Sequence, residues 1–453
     1  MIRMIADLES KLNDFNRIIR TKALSELLSC AEKDPGILSP EGSSVNMHCH
    51  SFFSFNAYGF SPSALVWLAK RRGFRVAGIV DFDVLDGIEE FLHGCDIAGL
   101  RGSAAMETRI YIPEFSTRVT NSPGEPGISY HMGIGFTSRN VKGKGATILK
   151  DMRQRADKRN RDMTERLNAY LNPVIIDYDQ DVLPLTPAGN ATERHMLVAY
   201  IQAAKRTGLD LTGFWAGKLG VERKKMNPLI ADAAEFFKTV RKKLMKRGGI
   251  GYVQPSPETF PTAEEFHEMV VSCGALPTIC YLNGTTEGEQ CMEELLEILT
   301  RKGVVAMNMI PNLAIPDHQI EPNNSSLIRQ RCELLKHTAK LAKEFDLPLH
   351  IGTEMNSYGQ RLVDDFTTPE LEPLRQAFTD GAFFVYGHTL LQQALGLGYQ
   401  SEWAKAHLPR RAVRNAFYIQ VGYLTPPGFL GMKILKKLNP TMEPKEVLAH
   451  LKS

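Results

Sequence analysis

Residues 46–56 read Asn46-Met47-His48-Cys49-His50-Ser51-Phe52-Phe53-Ser54-Phe55-Asn56. Side chains on a strand repeat with a period of two, so two histidines one residue apart project to the same face. A strand that ends in such a pair presents two imidazoles to one metal ion. A His-x-His pair alone is a weak signal, so its meaning depends on whether the rest of the chain supplies partners for it.

With 43% hydrophobic and 23% charged residues over 453 positions, the chain can build a large core. One large α/β body with an insertion fits, as do two or three domains. The formal net charge of +3 lacks the concentrated excess typical of nucleic-acid binders, which disfavours a nucleic-acid partner. The basic runs Arg153–Arg161 and Arg241–Arg247 read as solvated helix faces. Seven scattered cysteines without a Cys-x-x-Cys pair argue against a disulfide framework and a cysteine-rich zinc site. No apolar run approaches membrane-spanning length, and the opening residues 1–15 read as a charged helix rather than a signal peptide. The expected setting is a reducing cytoplasm with no membrane partner.

Along the chain, residues 1–35 have helical spacing and are expected to lie outside the main body. Ser61-Pro62 starts a helix, with Ser61 as cap and Pro62 at the first helical position. Strands are expected at 75–80, 108–112 and 129–136, the first ending in Asp81-Phe82-Asp83 and the second entered through Glu107. From about 146 to 250 long charged helices (148–171, 192–207 and 227–247) replace the strands, and Asn227-Pro228 reads as a helix start. This reads as a helical insertion between a first strand–helix part at 45–145 and a second at 251–386, with extensions expected at 1–44 and 387–453. In the second part Thr262-Ala263-Glu264-Glu265 is a capping box. Strands are expected at 276–282, 304–310, 347–354 and 383–386, with helices at 289–301 and 325–345. Repeated strand–helix units imply parallel strands covered by helices, with chemistry at the C-terminal strand ends.

His50, Asp81, Glu107, His131, Tyr281 and Glu354 all fall at such ends. A divalent cation wants imidazole nitrogens and carboxylate oxygens converging from several elements. His48, His50, Glu107 and Glu354 suit one four-ligand site, and His131 would share Glu107 with a second ion. The order of motifs resembles the PHP family, the polymerase and histidinol phosphatase metal-dependent phosphoesterases, in the branch with a helical insertion. The matching segments are His48-Cys49-His50-Ser51, Ser61-Pro62, Val80-Asp81-Phe82-Asp83, Met106-Glu107-Thr108, His131-Met132-Gly133 and Gly352-Thr353-Glu354-Met355-Asn356. Gly189–His195 and Gly248–Val253 resemble segments that bracket the end of the insertion in that branch. The resemblance covers roughly residues 45–360 and implies an α/β fold, a distorted (β/α)7-type PHP barrel, with a helical insertion and a C-terminal helical extension.

The departures are as informative. The family's centre takes up to three metal ions. Here His48, His50, Glu107 and the longer Glu354 preserve one site, Tyr281 stands where the second expects a histidine, and Phe55, Phe82 and Asn356 replace an acid and two histidines of the third. The expectation is one firmly held divalent ion (zinc, manganese or iron), with a second feasible. The implied function is a metal-dependent hydrolase with a reduced centre, cleaving a phosphoester of a small-molecule substrate. Asp81 would orient a ligand or act as base, and Arg109 or Arg361 would supply positive charge for a phosphate. The alternatives are a catalytically inactive or ligand-binding descendant of the fold and, more weakly, a nuclease. His350 and His388 flank expected strands, with structural roles favoured, and His195, His267, His318, His337 and His407 read as surface residues.

Overall fold

The pair His48 and His50 lies on β1, Val45–His50, buried along its whole length. In the computed structural model, which describes residues 2–311 and 325–452, β1 is the first of seven strands hydrogen-bonded in sequence order. The others are β2 Val76–Phe82, β3 Arg101–Tyr111, β4 Ile128–Ile134, β5 Leu276–Tyr281, β6 Ala306–Met309 and β7 Leu349–Ile351. The segment after β7 returns to β1: Glu354 N donates to His48 O (2.8 Å) and His50 N donates to Glu354 O (2.7 Å). The sheet is thereby nearly closed into a barrel, with helices around it. Glu354 and Met355 sit at this seam with φ of 62° and 55°, left-handed values that cost a non-glycine residue energy and tend to occur at functional sites.

The all-parallel expectation is corrected at β4, which runs antiparallel to both β3 and β5. The other adjacent pairs are parallel. A second correction concerns 383–386. Phe383-Phe384-Val385-Tyr386 lies inside the helix Arg375–Leu395, so the boundary drawn at 386/387 would cut through a helix. That helix is buried from Phe378 through Leu391 except at Asp380, and an apolar run of this kind has no period that separates strand from buried helix.

The N-terminal helices Ile2–Lys11 and Arg17–Lys33 are not outside the body, since Leu8, Leu12, Leu24 and Leu27 join the main core. Arg20 fixes them there. Its Nε donates to Glu90 Oε1 at 2.9 Å, its Nη2 pairs with Glu90 Oε2, and its Nη1 donates to Asp14 O at 2.6 Å. Ser63 Oγ also donates to Glu90, at 2.7 Å. Arg20→Met leaves the Glu90 carboxylate buried without its cation, and breaking one side of a buried pair costs about 3–5 kcal/mol. Chemical denaturation of that variant is expected to show the loss, and Arg20→Met/Glu90→Leu together to cost less than Arg20→Met alone.

Residues 167–245 hold a separate hydrophobic cluster, including Leu167, Tyr200, Trp215, Phe236 and Val240. Its helices are Gly143–Leu171, Glu193–Arg206, Leu211–Leu219, Arg223–Ala231 and Ala233–Leu244. Asn227-Pro228 is not a helix start: Pro228 lies within Arg223–Ala231. The break falls at Asp232, whose side chain caps the next helix by accepting from Glu235 N. Among the described residues no helix is long and apolar enough to cross a membrane.

Candidate metal centre

Register decides which side chains enter the barrel. His50 pairs with Val80, Phe82 with Glu107, Glu107 with Met132, Cys280 with Asn308, and Asn308 with His350. Residues paired in register share a face, so His48, His50, Phe82, Glu107, Asn308 and His350 point inward together. Three of them converge. His48 Nε2 lies 3.3 Å from His50 Nε2 and 3.5 Å from Glu107 Oε2, and His50 Nε2 lies 3.2 Å from the same oxygen. Among the described residues this is the one such group of metal-ligating side chains. A tetrahedral ion with bonds near 2.0–2.1 Å separates its ligand atoms by roughly 3.3 Å, and the triad matches that spacing.

The hydrogen bonds behind the triad set its tautomers. Asn308 Oδ1 can only accept, so His48 Nδ1 donates to it (2.8 Å). Ser54 Oγ donates to Asp81 (2.7 Å) and therefore accepts from His50 Nδ1 (3.0 Å). Both Nε2 atoms then carry lone pairs aimed at Glu107 Oε2, a buried oxygen with no hydrogen-bond donor of its own. Three buried acceptors facing one point fit a cation, and partners on the far ring nitrogens are what orient histidine ligands. Burial works against a charged His48, yet the negative charge of Glu107 beside it raises it above its ordinary value. Burial holds His50 below its own. Burial also opposes an ionised Glu107, but the two imidazoles outweigh this and bring it down to about 2.

Asp81 sits behind His50, accepting from Ser51 N (3.0 Å), Ser51 Oγ (2.7 Å) and Ser54 Oγ. Burial pushes it up to about 6 despite these bonds. It orients His50 through Ser54. Asn308 and His350, which the sequence reading did not assign to the site, extend the other side: Asn308 Nδ2 donates to His350 Nδ1 (3.0 Å). A polar residue inside the apolar strand Ala306-Met307-Asn308-Met309 was the available signal.

Glu354 is not part of the triad. Its carboxylate accepts from Gln360 Nε2 (2.9 Å) on the wall of a cleft of about 820 Å3, though its charge is felt at both His48 and His50. The same cleft is lined by Phe55, Phe82, Asn356 and Arg361, with Phe82 stacked on His50 at 4.3 Å between ring centroids. Arg194, Arg241 and Lys246 line it too. Part of the basic run 241–247 is therefore a cleft wall rather than a solvated face. Arg109 does not line it: its Nη1 donates to Glu125 at 2.8 Å and its guanidinium packs on Phe260 at 4.2 Å.

His131 does not join Glu107. It pairs with Thr108, one residue out of step, and so faces the surrounding helices. There its Nε2 lies 2.7 Å from His267 Nε2, while His267 Nδ1 donates to Lys302 O (2.7 Å). Tyr281 is likewise on the outer face, in phase with Ile279, and Cys280 takes the inner position. His195 and His267 are buried, not on the surface, His337 is exposed and His407 half-buried, and His318 lies outside the described residues. Burial lowers His267 to about 4 and His350 and His388 to about 3. Unfolded histidine protonates near pH 6.5. The neutral folded forms therefore contribute stability that is full above about pH 6.5 and lost as pH falls through about 4. Denaturation midpoints are expected to drop across this window, and His388→Gln to flatten the drop.

No family model matches the chain, and no curated protein matches it. Solved structures do. An amidohydrolase from Chromobacterium violaceum, with bound sulfate and no metal, is 15% identical with a TM-score of 0.50, over 75% of this chain and 96% of its own. A protein from Bifidobacterium adolescentis, provisionally described as a metal-dependent phosphoesterase, is 18% identical with a TM-score of 0.46, over 74% of this chain and 96% of its own. At such identities the likeness bears on the fold, and the mixed α/β barrel is an architecture this chain shares with the first of these hydrolases.

Proposed function

We propose that the protein is a metal-dependent hydrolase of the PHP type with a reduced centre, holding one divalent ion and cleaving a phosphoester of a small substrate. The observation that carries this reading is the His48–His50–Glu107 triad, buried acceptors at tetrahedral spacing with no donor between them. Zinc, manganese or iron suits the two nitrogens and one oxygen. When bound, such an ion polarises the substrate and makes a bound water acidic enough to ionise near neutral pH.

The chain's own residues hold this arrangement. Asn308 and Ser54 fix the imidazoles, and Asp81 anchors Ser54. Phe82 covers His50 with an apolar ring, which limits the centre on that side. Glu354 stands on the cleft wall, and its charge is felt at both imidazoles. Arg361 shares the cleft, whereas Arg109 is committed to Glu125 and drops out as a phosphate-binding group. The helices within 146–250 act as a cap that supplies one wall. With His131 and Tyr281 facing outward, the described residues support a single-ion reading over a second site.

Elemental analysis of the purified protein tests this reading. About one divalent ion per chain is expected in the wild type and none in His50→Ala, with phosphoesterase activity lost together with the ion. A wild-type protein that takes up no stoichiometric ion overturns it. Metal uptake without hydrolysis across a phosphoester panel would instead favour a binding descendant of the fold.

A further inference from the structure

Arg194, the second residue of the helix Glu193–Arg206, is only 8% exposed. Its hydrogen-bond partner is a neutral one, Asn356 Oδ1 at 2.9 Å, and its guanidinium lies 5.9 Å from the Phe55 ring. Among the described residues no carboxylate oxygen lies within 4.0 Å of it. The nearby acids are committed elsewhere. Glu193 accepts from Arg241 and lies 2.7 Å from Lys246, and Glu354 accepts from Gln360. A buried arginine is ordinarily paired, because desolvating its charge is expensive. Among the described residues its side chain has one protein acceptor, and none of its nitrogens is both fully buried and without a partner, so its other N–H donors open to the cleft. Burial brings Arg194 down to about 10, which leaves it charged at neutral pH.

This unpaired cation lines the cleft that also holds Phe82 and Glu354, both of which adjoin the metal triad. The other basic groups on the wall differ from it. Arg241 and Lys246 share the single carboxylate of Glu193, and Lys238, Lys242 and Arg361 are exposed to solvent. We propose that Arg194 is the specificity-determining residue of the cleft, its guanidinium receiving an oxyanion of the substrate, a phosphate or a carboxylate, beside Phe55 and Asn356. The inference rests on the reading of this cleft as the substrate site of a metal-dependent hydrolase. It makes the substrate class anionic, and it places the recognising charge on the insertion rather than on the barrel.

The test is calorimetric titration of inorganic phosphate, and separately of acetate, into the metal-supplemented full-length protein at low salt. Phosphate is expected to bind the wild type and to bind Arg194→Met about tenfold or more weakly, the loss of a charge-assisted bond. Arg194→Lys keeps the charge but not the planar fork and should fall between the two. Lys158→Met, which removes an exposed charge outside the cleft, should bind within about twofold of wild type. Metal content and melting temperature of Arg194→Met should match the wild type. If that variant fails to fold, Arg194→Lys decides, and binding equal to wild type there overturns the proposal. So does an undiminished Arg194→Met, or a wild type that binds neither anion at millimolar concentration. Acetate in place of phosphate, weakened by the same variants, supports the site and assigns a carboxylate. The outcomes separate the two readings: phosphate binding lost in Arg194→Met with no metal in the wild type sinks the hydrolase and keeps the anion site. One ion per chain with undiminished phosphate binding does the reverse.

Discussion

Glu107→Gln is expected to yield a folded protein whose affinity for a divalent ion is lower by more than about 100-fold. Even the outer partners of metal ligands cost 10–100-fold when removed, and Glu107 is the anion on which His48 and His50 both converge. Glutamine keeps the size of a side chain that is 2% exposed, so packing around it survives. It replaces the one negative charge of the triad with a neutral amide, whose N–H2 can donate to an imidazole lone pair and so satisfy the cluster without an ion. At ion concentrations a thousandfold above Kd, the wild type gains about 4 kcal/mol from binding. Its melting temperature should therefore fall when a chelator is added, and that of Glu107→Gln should not respond. Hydrolysis should drop by about 10³-fold or more, since an ion contributes several kcal/mol to the transition state. Asn308→Ala, which removes only the partner of His48 Nδ1, should lower metal affinity by about 10–100-fold. Stoichiometric metal in Glu107→Gln would move the centre away from this triad.

What was legible in the sequence follows the range over which each signal acts. His48 and His50 share a face by local alternation, whereas the strand expected at 108–112 runs from Arg101 to Tyr111, so Glu107 lies inside it and its inward face follows from its pairing with Phe82 and Met132. His131 could not be placed by alternation either. In β4 the apolar residues Ile128, Met132 and Ile134 alternate with Ser129, His131 and Gly133, yet every residue but Tyr130 is buried, so the alternation does not say which face enters the barrel. Its face depends on a pairing with Thr108 that no local feature records. Phe383–Tyr386 was misread because burial on all sides erases periodicity. Arg194 and Arg241 looked like parts of ordinary charged helices. Their role emerges once two helices of the insertion meet the strand ends, through contacts such as Arg194 to Asn356, 162 residues apart.

Gly352→Ala is expected to damage fold and centre together. Gly352 lies where the chain leaving β7 crosses β1, and a Cβ there would sit 2.1 Å from His48 Cβ, 2.6 Å from His48 N and 2.7 Å from His48 Cα. Two of those three atoms are backbone, so no side-chain rotation relieves the clash. The strand must move, and with it the bonds from Thr353 N and Glu354 N to His48 O that close the barrel. Overpacking costs typically 1–3 kcal/mol and more when backbone is involved, so about 3 kcal/mol or more is expected, with a fall in melting temperature of ~3 °C or more. Because metal–ligand distances tolerate only about 0.2 Å, a shift of His48 large enough to admit the methyl also withdraws its Nε2 from the triad. Gly217→Ala is the control for the chemical change itself. It lies in the helix Leu211–Leu219 with nothing within 4 Å of the added Cβ, and there the same methyl should be neutral or stabilise by up to about 1 kcal/mol. If Gly352→Ala instead melts like Gly217→Ala and retains its ion, the closure of the barrel does not hold His48 in place, and the rigidity of the triad must come from the partners behind it, Asn308 and Ser54.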